Sequence, residues 1–88
     1  MFVHIGGDFM IEANNIVAIM DFDNVTGERR TLNLLKNAEK EGRIVNIDYD
    51  LPRTMILVND NHFNYVYLTP ISVKQIEKRV NNFFVQDD

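Results

Sequence analysis

The chain has 88 residues, of which 45% are hydrophobic and 25% charged, and 9 Lys and Arg against 13 Asp and Glu give a formal net charge of −4. This length excludes most large enzyme scaffolds, since a TIM barrel takes about 250 residues, and it predicts a single domain over residues 1–88 with a partly frayed tail at 81–88. The absence of cysteine excludes disulfides and thiolate metal sites.

Three short strands are predicted before the first helix. Residues 2–5 alternate between apolar and polar side chains, and residues 9–13 are expected to pair with them across a turn at Gly6-Gly7. The apolar run Ile16–Met20 is continuous, and this pattern predicts a third strand that is buried on both faces. A polar loop over residues 21–27 comes after it.

A first helix is predicted over residues 28–41, because apolar side chains recur there at helical spacing. The stripe at i, i+3, i+4 and i+7 consists of Thr31, Leu34, Leu35 and Ala38. Gly42 stands where a helix commonly ends with a left-handed residue, and Lys40 near that end suits the helix dipole.

Three more strands are predicted at 43–48, 53–58 and 63–68, with the last two joined as a hairpin. A second helix comes next, with Thr69 as its N-cap and Pro70 as its first residue. The order β-β-β-α-β-β-β-α predicts an α+β fold. It would consist of a mostly antiparallel sheet of five to six short strands, with two helices covering one face.

No residue is assigned a catalytic role, and the chain is not expected to be an enzyme. An apolar strand followed by Asp21-Phe22-Asp23 is similar to the nucleophile strand of phosphotransferases. The threonine expected next comes one residue late, at Thr26, and the chain is too short for such a domain. The two histidines, His4 and His62, fall on different elements, so no metal site is predicted. No cofactor and no small-molecule substrate are expected.

Arginines are the candidate contacts to nucleic acid. Residues 1–28 carry five acids and no base, whereas residues 29–53 carry six bases and four acids. Arg53 directly follows a turn, so its guanidinium can project from a sheet edge toward a phosphate. Further bases of this band are Arg29, Arg30 and Arg43. The alternative is that they are ordinary solubilising charges, as the acidity of the whole chain favours.

An aromatic strand is the candidate subunit interface. Phe63, Tyr65 and Tyr67 alternate and therefore share one face, while Val66 and Leu68 make the other face apolar as well. One of these faces can pack on a neighbouring subunit. Ordinary core packing with cross-strand aromatic pairs is the alternative that stays open.

Several blocks of the chain resemble the RemA/RemB family of extracellular-matrix regulators. Residues 4–11 (His-Ile-Gly-Gly-Asp-Phe-Met-Ile), residues 16–22 (Ile-Val-Ala-Ile-Met-Asp-Phe) and residues 67–73 (Tyr-Leu-Thr-Pro-Ile-Ser-Val), which run on to Lys78-Arg79, are more similar to RemB. The blocks at 40–45 and 53–58 look more like RemA. The resemblance covers roughly residues 2–80.

The resemblance implies a small cytoplasmic bacterial regulator of transcription that controls biofilm-matrix genes. It would form a homo-oligomer, in this family a ring, and bind DNA largely through arginines, without contacting a membrane. RemA-like proteins carry one arginine after the second strand and a pair in the turn before the fifth. Here these positions are Asn15, Asp50 and Leu51, whereas Arg53 matches a basic position of the pattern.

Asn15 remains a candidate DNA contact, because an amide can hydrogen-bond a phosphate or a base edge. The acidic Asp50 and the net charge of −4 favour a different function. In that alternative the chain is an oligomeric protein-interaction or structural module of the same fold that does not bind DNA.

Overall fold

The computed structural model describes residues 1–22 and 29–84, with side chains described as far as Asn81. The elements are β1 (Phe2–Gly6), β2 (Phe9–Glu12), a 3-10 turn (Ala13–Asn15), β3 (Ile16–Asp21), α1 (Arg29–Lys40), β4 (Ile44–Asn46), β5 (Thr54–Asn59), β6 (Asn64–Thr69) and α2 (Val73–Phe84). This order confirms the predicted α+β class. Because α2 runs to Phe84, part of the segment predicted as a frayed tail is helical.

The strands form two sheets rather than one. β1 and β2 pair as an antiparallel hairpin across Gly6 and Gly7, whose φ angles of 125° and 54° confirm the predicted turn. The other strands form a sheet in the order β3-β5-β6-β4, in which only β4 and β6 are parallel. The sheet is therefore mostly antiparallel, as predicted.

The four-stranded sheet has two ends that adjoin different parts of the chain. Thr54 pairs with Thr69 at one end, which we call the loop end because residues 47–53 adjoin it. Asn59 pairs with Asn64 at the other end, which we call the Phe63 end. β5 has six residues, so the two ends lie about 17–20 Å apart.

The two helices lie on opposite faces of the four-stranded sheet, so the prediction that both cover one face is wrong. The hairpin and α2 cover the face that bears Ile56 and Val58, which we call the hairpin face. Helix α1 covers the face that bears Met55 and Val66, which we call the α1 face. Neighbouring residues of β5 and β6 are apolar and buried on both sides, so each face needs a cover.

Packing on the α1 face confirms the stripe of side chains that was predicted for the first helix. Thr31 and Ala38 are buried, and Leu34 and Leu35 pack against the cluster that contains Met55. Gly42 comes after the helix with a φ of 71°, as predicted for a residue that ends a helix in the left-handed region.

Strand β3 lies at an edge, so the prediction that it is buried on both faces is wrong. Its described pairing is with β5 alone, and Val17 is 60% exposed. The central strand is β5, in which Met55 and Ile56 are fully buried. A continuous apolar run indicates apolar contact on both faces, and β3 has this contact only in part: Ile19 packs against one cluster and Met20 against the other, and both are partly buried.

Ser72 rather than Thr69 caps the second helix, and Pro70 is not its first residue. The Ser72 hydroxyl accepts the Gln75 N–H at 3.2 Å, and α2 begins at Val73. Thr69 is fully buried, and its hydroxyl donates to the Ile5 carbonyl at 2.7 Å. Pairing within the hairpin is irregular next to Ile5, so this hydroxyl satisfies a carbonyl at the irregularity and ties the hairpin to the sheet.

Replacing Thr69 by valine should lower the free energy of unfolding by about 1–3 kcal/mol, because the Ile5 carbonyl then stays buried without this donor. Urea denaturation measures the change. Thr69→Ser keeps the hydroxyl and is the matched control, with a smaller expected loss. A valine variant as stable as the wild type would show that the hydrogen bond contributes nothing.

Candidate DNA-binding and subunit-contact surfaces

Arg53 lies at the loop end, directly before β5. Its backbone N–H donates to the Thr69 carbonyl and its carbonyl accepts the Phe22 N–H, both at 2.9 Å. The side chain is exposed. A guanidinium on a backbone fixed at both hydrogen-bonding groups is suited to phosphate contact, as proposed for this residue from the sequence.

The other basic candidates divide between two places. Arg29 and Arg30 are exposed in the first turn of α1. Arg43 comes after Gly42 toward the Phe63 end, where its guanidinium pairs with the Glu41 carboxylate at 3.1 Å and lies 4.6 Å from the centre of the Phe63 ring. The charge of Arg43 is therefore partly neutralised within the chain.

Arg30 and Arg43 are brought together by an open pocket of about 430 Å³ on the α1 face, which we call the arginine pocket. Its apolar floor consists of Leu34, Ala38, Leu57 and Val66. Its polar rim consists of Arg30, Asn33, Asn37, Glu41, Arg43 and Asn64. The pocket was not predicted from the sequence, although Arg30, Asn33 and Asn37 recur at i, i+3 and i+7 along α1 and could have indicated a shared face.

Asn15 lies away from all the arginine candidates. It belongs to the 3-10 turn and borders a groove on the hairpin side of the molecule, at the Phe63 end. Arg53 lies at the loop end, and the arginine pocket lies on the α1 face. The five candidate DNA contacts therefore form three separate groups on one chain, and their role in DNA binding stays a prediction.

The groove beside Asn15, which we call the tyrosine groove, contains two of the three predicted interface residues. Tyr65 and Tyr67 share the hairpin face, while Val66 and Leu68 lie on the α1 face, so the predicted alternation is confirmed for these four residues and does not extend to Phe63. Tyr67 packs against the core of the hairpin face, and Tyr65 is half-buried. Phe63 precedes β6 and is separated from them, beside Arg43. Their place in an interface stays a prediction.

The tyrosine groove also has two walls that sequence reasoning missed. Phe2 and Met10 line it and are 59% and 56% exposed. The signal for them is the alternation within β1 and β2, which turns Phe2 and Met10 outward while Val3 and Ile11 enter the core. Phe2 and Met10 therefore add exposed apolar surface to the groove that Tyr65 also lines.

The tyrosine groove has an acidic rim. The Phe63 and His62 N–H groups donate to the Asp60 carboxylate and lower the pKa of Asp60 below its usual value. The N-terminal ammonium, and after it the Asn14 N–H, lower the pKa of Glu12. Both carboxylates are therefore ionised at neutral pH, and the groove does not suit a phosphate backbone.

Burial raises the pKa of Tyr67 above its usual value of 10.0, and the nearby Tyr65 adds to the shift. The folded state thus favours the neutral phenol. Stability from this preference is fully present below pH 10.0 and is lost as the pH rises through the raised folded pKa.

The Tyr67→Phe variant should therefore lose less stability than the wild type when the pH is raised from neutral to alkaline values. Urea denaturation across that range checks this, and parallel curves for both proteins would refute it.

Among the described residues, no group of three or more His, Cys, Asp or Glu side chains is placed to hold a metal ion. Asp21 ends β3, whereas Asp23 and Thr26, the other residues of the phosphotransferase comparison, lie outside the described ranges. Within those ranges no helix is long and apolar enough to cross a membrane.

One known protein family matches nearly the whole chain. The family described as "Extracellular matrix regulatory protein A-like", or RemA-like, matches residues 2–80. The chain belongs to the RemA-like family. Membership confirms the resemblance noted in the sequence and places the chain among extracellular matrix regulatory proteins. None of the curated proteins compared with it gives a match.

Within the matched residues 2–80, one exposed loop has a composition that is unusual for a contact with DNA. Asp48, Tyr49, Asp50 and Leu51 join β4 to β5 at the loop end, and all four are exposed. We call residues 48–51 the acidic loop. Asp50 and Leu51 stand where the resemblance places two arginines. In this member of the RemA-like family, Arg53 is the nearest base after the loop.

Proposed function

We propose that the chain is a RemB-like regulator of transcription in a bacterium. In this proposal it is a non-enzymatic, cytoplasmic protein that forms a homo-oligomeric ring and binds the DNA backbone to control extracellular-matrix and biofilm genes. The observation that carries the proposal is the RemA-like match over residues 2–80. The RemB-like assignment is supported by residues 4–11 and 67–73, which are more similar to RemB than to RemA.

Oligomerisation answers the difficulty that an acidic chain binds DNA poorly. A single chain with a net charge of −4 repels a phosphate backbone overall. A ring repeats one local basic patch many times, and many weak phosphate contacts then act together. Arg53 and Arg29 are exposed and are the contacts that the ring would repeat, with Arg30, Arg43 and the neutral Asn15 as weaker candidates at separate places on each chain.

A salt titration of fluorescent duplex DNA tests the proposal. The logarithm of the affinity should fall linearly with the logarithm of salt concentration, with a slope of about −0.9 for each phosphate that the protein neutralises. The slope thus measures the size of the basic surface. Absence of binding at about 50 mM salt, where such contacts are strong, would contradict DNA binding.

Replacing Arg53 by alanine should weaken DNA binding about equally for all sequences and reduce the magnitude of the salt slope by about 1 for each subunit that contacts the DNA. The reason is that a phosphate contact contributes affinity without reading bases. Lys74→Ala, at an exposed position of α2, is the control that removes one charge elsewhere. Unchanged affinity in the Arg53 variant would remove this residue from the DNA surface.

A second candidate function is supported by the acidic loop. Two aspartates and two exposed apolar side chains occupy the turn in which RemA-like proteins carry arginines. Such a turn suits a protein surface better than a phosphate backbone. In this alternative the chain forms the same assembly but contacts other proteins, and the DNA titration shows no binding by an assembled protein.

A further inference from the structure

The acidic loop carries two large side chains that nothing in the described chain covers. Tyr49 and Leu51 are 106% and 86% exposed. Single exposed apolar residues are ordinary, but tyrosine is one of the residue types that most often anchor an interface, and Leu51 adds apolar surface next to it. Asp48 and Asp50 flank Tyr49, and the Asp48 carboxylate accepts the Tyr49 N–H at 2.6 Å. The loop therefore alternates two negative charges with two exposed apolar side chains, Tyr49 and Leu51, which we call its apolar tip.

The arginine pocket has the complementary composition. Its floor is apolar, and its rim carries Arg30 and Arg43 against one acid, Glu41. Glu41 and the Phe63 ring hold the Arg43 guanidinium in place, so binding an anion there requires little ordering of that side chain. A volume of about 430 Å³ lies within the range of about 300–1,000 Å³ typical of ligand pockets and accommodates an aromatic side chain.

The loop and the pocket lie at opposite ends of the same sheet. The acidic loop precedes Arg53, whose N–H bonds to Thr69 at the loop end. The pocket is lined by Leu57 and Asn64, toward the Phe63 end. About 17–20 Å of β5 separates the two ends, so the loop of one chain cannot enter its own pocket. Within this protein, the loop and the pocket can therefore meet between two copies and not within one.

We propose that the acidic loop of one copy inserts into the arginine pocket of the next. Tyr49 and Leu51 then pack on the apolar floor, and Asp50 faces Arg30 and Arg43. Such a head-to-tail contact joins two different surfaces and closes into a ring when the rotation between copies permits. The inference rests on the oligomeric half of the proposed function, and it leaves Arg53 and Arg29 for DNA.

Two variants that damage opposite sides of the contact test the inference by sedimentation velocity. Tyr49→Ala with Leu51→Ala removes the apolar tip, and Arg30→Glu reverses a charge on the rim. Each variant alone should weaken assembly at least about 30-fold, the effect of losing an interface anchor. Mixed in equal amounts they should form a dimer and nothing larger, because one intact loop meets one intact pocket.

A charge exchange distinguishes loss of the proposed contact from general disruption of the protein by a substitution. Arg30→Glu combined with Asp50→Arg in one chain should recover part of the assembly that Arg30→Glu alone loses, since positions 30 and 50 again carry opposite charges while Arg43 is unchanged. Lys36→Glu is the matched control, because it makes the same change of charge at an exposed position of α1 outside the pocket, and it should assemble like the wild type. Circular dichroism confirms that every variant is folded.

The outcomes separate this inference from the proposed function. A wild-type protein that stays monomeric at all concentrations overturns the oligomeric half of the function and the inference with it. If the wild type assembles and the loop variant assembles equally well, the inference alone is overturned. The same holds if the two variants do not form a dimer when they are mixed. DNA binding is measured separately by the salt titration, so its failure does not affect the contact.

Discussion

Replacing Ile56 by alanine should lower the free energy of unfolding by about 2–5 kcal/mol. Ile56 is fully buried in the central strand β5, where it packs in the core of the hairpin face with Val3 and Ile76. Alanine removes these contacts and leaves a cavity, because the hairpin, the sheet and α2 converge on that position. A small domain is stable by about 5–15 kcal/mol in total, so the loss is a large share.

A matched pair of valines shows whether β5 rather than β3 is the central strand. Val58→Ala in β5 removes a buried side chain, whereas Val17→Ala makes the same chemical change on the exposed edge strand. We expect a clear loss of stability for the first and about 0.5 kcal/mol or less for the second. Urea denaturation of the three variants measures these values. Equal losses at Val58 and Val17 would contradict the strand order.

That strand order is the part of the fold that the sequence did not predict. Helix α1 was predicted correctly because its stripe, from Thr31 to Ala38, depends on neighbours three and four residues away. The position of β3 depends on which strands pair with it, and pairing with β5 joins residues more than 30 positions apart. An apolar run indicates contact on both faces and carries no information about neighbours in the sheet.

The helix start shows the same limit on a smaller scale. Thr69 followed by Pro70 is typical of a helix cap, and Ser72 is a capping residue as well. The choice between them depends on the Ile5 carbonyl, which is 64 residues away in sequence and accepts the Thr69 hydroxyl. Tertiary contact decides where the helix begins.

Spacing along the chain also predicted only a part of the candidate surfaces. Alternation along one strand placed Tyr65 and Tyr67 together, because a strand has a fixed period of two. The arginine pocket brings Arg30, Leu57 and Asn64 together from three elements, and no spacing along the chain indicates this. Its existence follows from the position of α1 on the sheet.

Replacing Tyr65 by aspartate should dissociate the proposed oligomer and leave the chain folded. Tyr65 is half-buried on the wall of the tyrosine groove, at the Phe63 end, which also carries the arginine pocket. An aspartate there removes the aromatic surface and adds a third negative charge beside Glu12 and Asp60. Loss of an aromatic interface anchor typically raises the dissociation constant about 30-fold or more.

Tyr67→Asp should act differently, because Tyr67 packs against the core of the hairpin face. A carboxylate at that position disrupts the fold, so loss of assembly in this variant carries no information about an interface. Tyr65→Phe is the matched control, since it keeps the aromatic surface and should assemble normally. Sedimentation velocity over a range of concentrations, with circular dichroism on the same samples, distinguishes the cases. A folded Tyr65→Asp variant with the mass of the wild-type assembly would place the interface elsewhere, and the acidic loop and its pocket would then remain as the proposed subunit contact.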